Sequence, residues 1–92
     1  MSLNIKKIAE EFSLSDEALT RESLRAFLLE RLRIMETERQ FRCAKFGVKT
    51  LEEMDELLKQ GAVSEEEILE DFQNVDYLTT RMEHMKKLLE DL

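Results

Sequence analysis

Proline and tryptophan are absent from this 92-residue chain, glycine occurs only as Gly47 and Gly61, and cysteine only as Cys43. Ordinary usage would supply roughly four or five prolines in a chain of this length. A β-sandwich or barrel needs many turns built on Gly and Pro, so the shortage of both argues against an all-β fold. The lone cysteine excludes an intrachain disulfide and fits a reducing cytoplasm, the expected location. No apolar run approaches the ~20 residues that a membrane-spanning helix needs, so no membrane role is expected. The start Met1-Ser2-Leu3-Asn4 carries no apolar stretch of the kind a secretory signal requires.

In place of these residues stand leucine, fifteen times, and charge, at 38% of the chain against an ordinary share of about 25%. That mixture suits amphipathic helices with densely solvated outer faces. The expected fold is all-α: a single helical domain over residues 1–92, a small bundle built on two long helices with two short ones. The net charge of −7 is unevenly placed. Residues 1–24 carry −2, residues 25–49 carry +4 and residues 50–92 carry −9. Such an asymmetry can draw two helical arms together, or aim the acidic arm at a basic partner.

Four helices are predicted, over about 4–12, 16–46, 51–60 and 65–91. Ile5, Ile8, Ala9 and Phe12 form one apolar stripe at helical spacing on the first. Ser13 followed by Asp16 matches a capping box for the second. Within it, Leu24, Ala26, Phe27, Leu28, Leu29, Leu32, Ile34 and Met35 cover well over half of the circumference, so this stretch is expected to be packed from more than one side. After Met35 the apolar positions thin to Phe41, Cys43, Ala44 and Phe46, which predicts a wetter far end. Gly47 and Gly61 stand where helices end in a left-handed residue. Thr50-Leu51-Glu52-Glu53 and Ser64-Glu65-Glu66-Glu67 are further capping boxes, the second with Val63 and Ile68 placed as a hydrophobic staple.

The last helix carries the clearest period. Val75, Leu78, Met82, Met85, Leu89 and Leu92 alternate steps of three and four, and Ile68 extends the phase backwards. This is an a/d heptad seam. In a parallel homodimer Arg81 at g would face Lys86 at e of the second chain, two like charges. An antiparallel partner, or the long second helix of the same chain, fits better.

Residues able to carry chemistry are few. His84, the only histidine, falls at a c position facing water, and no set of His and Cys has zinc spacing. Cys43 lies near Arg39 and Arg42, which would lower its pKa, yet a free cysteine usually acts as a small apolar residue and packing is the preferred reading. Glu53 and Glu56, like Glu67 and Glu70, stand three apart. Paired carboxylates suit Mg²⁺ in all-helical hydrolases, but any solvated helix supplies such pairs. No catalytic residue, metal or cofactor is expected, and a carboxylate–metal hydrolase is kept only as an alternative. The segment Ile8-Ala9-Glu10-Glu11-Phe12-Ser13-Leu14-Ser15 with Leu19 resembles a helix-turn-helix, a second alternative. Ser13 replaces the usual turn glycine there, and Asp16, Glu17 and Glu22 give the would-be recognition helix the wrong sign for phosphate. Nucleic acid is therefore disfavoured as a partner.

Residues 24–92 carry the run Leu24-Arg25-Ala26-Phe27-Leu28, then Lys45-Phe46-Gly47-Val48, then Glu52-Glu53-Met54-Asp55-Glu56-Leu57-Leu58 with Gly61, then Glu70-Asp71-Phe72 and a leucine-rich tail. This pattern resembles small acidic helical proteins of the antitoxin type. Such relatives tend to carry Lys-Tyr-Gly where this chain has Lys-Phe-Gly, and tryptophan where Phe72 or Tyr77 lies. The resemblance implies a helical hairpin that wraps and blocks a basic toxin. The expected function is thus a non-catalytic protein-binding module, acting on a protein partner, on a second copy as a homodimer, or on both. The expected interaction surface comprises Phe27, Leu28, Leu29, Ile34, Val75, Leu78, Met82, Met85 and Leu89, with Glu66, Glu70 and Glu83 on the acidic face.

Overall fold

The computed structural model describes residues 4–92; the start Met1–Leu3, read above for a signal segment, lies outside the described residues. Among the described residues four helices follow one another: α1 (Ile5–Glu11), α2 (Asp16–Ala44), α3 (Leu51–Lys59) and α4 (Glu65–Glu90). The fold is all-α, with two long and two short helices at the positions that periodicity and capping predicted.

Helix ends are set locally. Ser64 Oγ accepts from the Glu67 amide at 3.2 Å, and Thr50 Oγ1 accepts from the Glu53 amide at 3.1 Å. Three acids in the first turn of α4 face the positive end of its dipole. One cap differs from expectation. Ser15 caps α2, accepting from the Ala18 amide at 3.0 Å, and Ser13 is part of the preceding turn with φ +56°. The reason is that α1 closes with a Schellman motif: the Leu14 amide donates to Ala9 O and the Ser13 amide to Glu10 O, which forces Ser13 left-handed. Gly47 and Gly61, both at φ +70°, hold the same place after α2 and α3, with Val48 N donating to Cys43 O and Ala62 N to Leu57 O.

α2 and α4 form an antiparallel hairpin. Near one end Arg42 and Lys45 of α2 reach Asp71, early in α4, while Lys86, late in α4, lies close enough to Glu36 to act on its charge. α1 packs on the start of α2, and α3 packs on α4. The molecule is long, 60 × 24 × 20 Å, with a Cα radius of gyration of 19.1 Å. A compact domain of this length would have about 12 Å.

The best-buried core lies where the end of α2, α3 and the start of α4 meet. Cys43, Met54, Ile68 and Val75 are fully covered there, with Phe46, Val48, Leu51, Leu58, Val63 and Phe72 packed around them. This corrects the expectation of a wetter far end for α2. Few apolar residues in α2 itself are needed there, because three elements converge and α3 and α4 supply the rest. From this cluster the α4 seam runs on through Leu78, Met82 and Met85, all buried. Leu28, Leu32 and Met35 of α2 are half-buried on the facing side.

Candidate functional site

The heptad seam of α4 contains a residue that periodicity passed over. Asp71 falls at the d position between Ile68 and Val75 and is only 8% exposed. Its Oδ1 accepts from Arg42 Nη1 at 2.8 Å and from Lys45 Nζ at 3.1 Å. Arg42 also pairs with Glu38 at 3.3 Å. Burial works against the Arg42 charge, but Asp71 and Glu38 together outweigh it and hold the pKa above its ordinary value. The cluster satisfies its own charges and offers no open position to a substrate. A break in an otherwise apolar seam, opposite the basic stretch 25–49, was the signal that could have found it.

Cys43 is wholly buried. Burial pushes its thiol pKa up, and the nearby Arg39 only partly opposes this. The expected lowering by arginines is therefore overturned. A protonated, covered thiol is inert packing material. His84 is exposed on the wet face of α4. Among the described residues no three His, Cys, Asp or Glu gather closely enough to hold a metal. No described helix is long and apolar enough to cross a membrane.

The residues expected to form an interaction surface divide into two groups. Val75, Leu78, Met82 and Met85 are buried, and Leu28 and Leu89 are half-buried, in the seam between α2 and α4. The chain's own hairpin covers them, so they hold the fold together and are not offered to a partner. Phe27, Leu29 and Ile34 remain exposed on α2, and Glu66, Glu70 and Glu83 remain exposed on α4. Of the acids in α4, only Asp71 makes an ion pair among the described residues. The two opposite-charge arms thus touch through one carboxylate, and most of the negative charge of α4 stays in water.

Phe27 and Ile34 belong to a longer feature. Phe27, Ile34 and Phe41 recur every seven residues and, at 100° per residue, share the side of α2 turned away from α4. They are 55%, 45% and 68% exposed. Arg31 stands over the Phe27 ring at 5.3 Å and Lys45 over the Phe41 ring at 5.6 Å. At the upper end the stripe meets a groove of about 290 Å³ between α1 and α2, lined by Ile5, Ile8, Leu19, Thr20, Ser23 and Leu24. Sequence reading marked Phe41 as apolar but not as the third member of this stripe; the step of seven from Phe27 was the available signal.

Comparison with known proteins places the whole chain, residues 1–92, within one family model, the uncharacterized protein MJ0235 family. The chain belongs to the MJ0235 family. It is 28% identical over 76 residues to the uncharacterized protein MJ0235 of Methanocaldococcus jannaschii, covering 83% of this chain and 93% of that one. No solved structure matches it.

Proposed function

We propose that this protein is a non-catalytic, antitoxin-like binding module whose acidic α4 arm engages a basic protein partner. The observation that carries the reading is the surface the fold leaves open. The chain exposes 7149 Å², whereas a compact monomer of 10.9 kDa would expose about 5,600 Å². The difference, about 1,600 Å², is about twice the ~800 Å² that one partner contributes to a standard protein–protein interface, so the open surface is ample for one. Among the described residues twelve large apolar side chains lie on that surface, including Phe12 and Tyr77. Solvated acids flank some of them on α4: Leu69, Tyr77 and Leu88 share that helix with Glu66, Glu70, Asp76 and Glu83. Apolar contact with an unneutralised acidic rim suits a basic protein and repels nucleic acid. Asp16, Glu17 and Glu22 stay exposed at the start of α2 and add the same sign there.

Reversing Glu66, Glu70 and Glu83 to Lys tests this reading, since none contacts the seam. The partner to be used is a basic protein isolated by co-purification with the chain from its native cell. Its association rate should fall with rising salt in the wild type, because exposed charges are screened beyond about 8 Å at physiological ionic strength. The triple variant should bind more slowly with its helical signal retained. An on-rate indifferent to both salt and the substitutions would overturn the proposal.

A further inference from the structure

We infer that the outer stripe of α2 is a self-recognition surface on which a second copy of this chain packs antiparallel, about a two-fold axis passing by Ile34. This goes beyond the reading above, because it uses a different helix and needs no foreign partner. The stripe is palindromic. Phe27 and Phe41 each lie seven residues from Ile34, so a two-fold axis there sets Ile34 on its own copy and each Phe27 level with the other chain's Phe41. That is the condition for an isologous interface, in which one patch is complementary to itself.

Charge flanking the stripe has the same symmetry. Arg31 and Glu38 lie three before and four after Ile34, on one flank of the stripe at 100° per residue. A two-fold axis across two antiparallel helices keeps each flank on its own side. Arg31 of each copy therefore comes level, within about one residue's rise of 1.5 Å, with Glu38 of the other. The pairing occurs twice. In a parallel pair the two-fold axis runs along the helices and exchanges the flanks, so Arg31 would face Glu30 of the second copy and not Glu38. The Arg31–Glu38 pairing thus belongs to the antiparallel orientation alone, and the apolar register fixes its centre.

Geometry at the ends agrees. From Leu24 to Phe41 the stripe runs about 26 Å along α2. The second copy's Phe41 comes level with Phe27, one turn from Leu24, which lines the groove between α1 and α2. Leu24 comes level with the small Ala44 of the second copy. Each helix keeps its inner face for α4, so two hairpins joined this way form a four-helix layer with the α2 pair at its centre.

Cysteine cross-linking reads the register. Facing helices 8–10 Å apart bring two-fold-related Cα atoms to about the 4.4–6.8 Å that a disulfide spans. Ile34→Cys should therefore form a disulfide-linked dimer under mild oxidation, with the buried Cys43 uninvolved. Phe27→Cys alone and Phe41→Cys alone should not, because each lies about 21 Å from its own copy. An equimolar mixture of the two should cross-link. Light scattering of the unmodified chain should give twice the 10.9 kDa chain mass at micromolar concentration. Arg31→Glu alone should weaken the dimer by tenfold or more, and adding Glu38→Arg should restore it. A monomeric mass at high concentration, self-cross-linking of all three single variants, or failure of the charge swap to rescue would overturn the inference. The Glu66, Glu70 and Glu83 reversals leave this dimer intact, so its failure is distinguishable from failure of the acidic-arm reading.

Discussion

Removing the Asp71 carboxylate tests the two ion pairs, to Arg42 and Lys45, that join the end of α2 to α4. In Asp71→Ala, Arg42 and Lys45 lose the oxygen they share at 2.8 and 3.1 Å. The side chains are unequally covered: 11% exposed for Asp71, 20% for Arg42 and 45% for Lys45. Breaking a fully buried pair costs about 3–5 kcal/mol. Lys45 can return to water, so its share falls toward the ~0–1 kcal/mol of a surface pair. Arg42 keeps Glu38 at 3.3 Å, which softens its loss further. The expected cost is therefore about 2–3 kcal/mol, a large part of a total stability of ~5–14 kcal/mol. Urea denaturation followed by helical circular dichroism reads this as a fall in midpoint of about 1–2 M at unchanged slope. The paired substitution Asp71→Leu with Arg42→Met completes the apolar seam and should recover most of the loss, since exchanging a whole buried pair for packed apolar groups is often neutral or stabilising. A change under about 0.5 kcal/mol in Asp71→Ala, the size of an ordinary surface substitution, would refute the argument.

Other perturbations probe the remaining parts of the fold. Met82→Asp buries an unpaired charge in the seam and should cost several kcal/mol, whereas His84→Asp on the wet face should cost under about 0.5 kcal/mol; equal losses in denaturation would displace the heptad phase. Ser13→Gly removes the strain of a left-handed non-glycine residue and should stabilise α1 by about 1 kcal/mol, read as slower amide exchange in Ile5–Glu11; exchange that is unchanged or faster would count against the Schellman turn. Burial raises the Cys43 pKa above its ordinary 9.0, so the contribution of this residue is fully present below that pH and is lost as pH rises through the folded value, because the unfolded thiol ionises first. Cys43→Ala should accordingly flatten the alkaline fall in stability relative to the unmodified chain, and parallel curves above pH 9.0 would refute the assignment.

Much of this fold was legible because its signals are local or strictly periodic. The helix boundaries follow from Thr50, Ser64, Gly47 and Gly61, each of which acts on backbone groups within one turn. The α4 seam follows from a repeat that holds over more than three heptads. Two features escaped where the answer depended on elements distant in sequence. Packing was the preferred reading of Cys43, but the lowered pKa expected from Arg39 and Arg42 was not found, because the return of α3 and α4 covers the thiol. Asp71 was not singled out, since a charge is recognised as a core position only once its partners, 26 and 29 residues earlier, are known to face it. Ser13 was misread for a third reason. Its hydroxyl fits a cap, but the backbone demand of the preceding helix end decides its conformation.

The position of Asp71 also explains how a repetitive seam settles on one register. An apolar heptad seam tolerates sliding by seven residues, because apolar positions then meet apolar positions again. If α4 slid by one heptad along α2, Asp71 would come level with Met35 or with Lys49 beyond the helix end. Opposite Met35 the nearest cations, Arg31 and Arg39, would each lie four residues away, Arg39 already paired with Glu36, and past Gly47 the α2 backbone has already turned away. Only the observed register gives it both Arg42 and Lys45. A single buried polar residue that fixes register at some cost in stability is a recognised device of helical pairs. Phe27, Ile34 and Phe41 are spaced by seven on the face that α4 never covers, so their exposure comes from the geometry of the hairpin and not from incomplete packing.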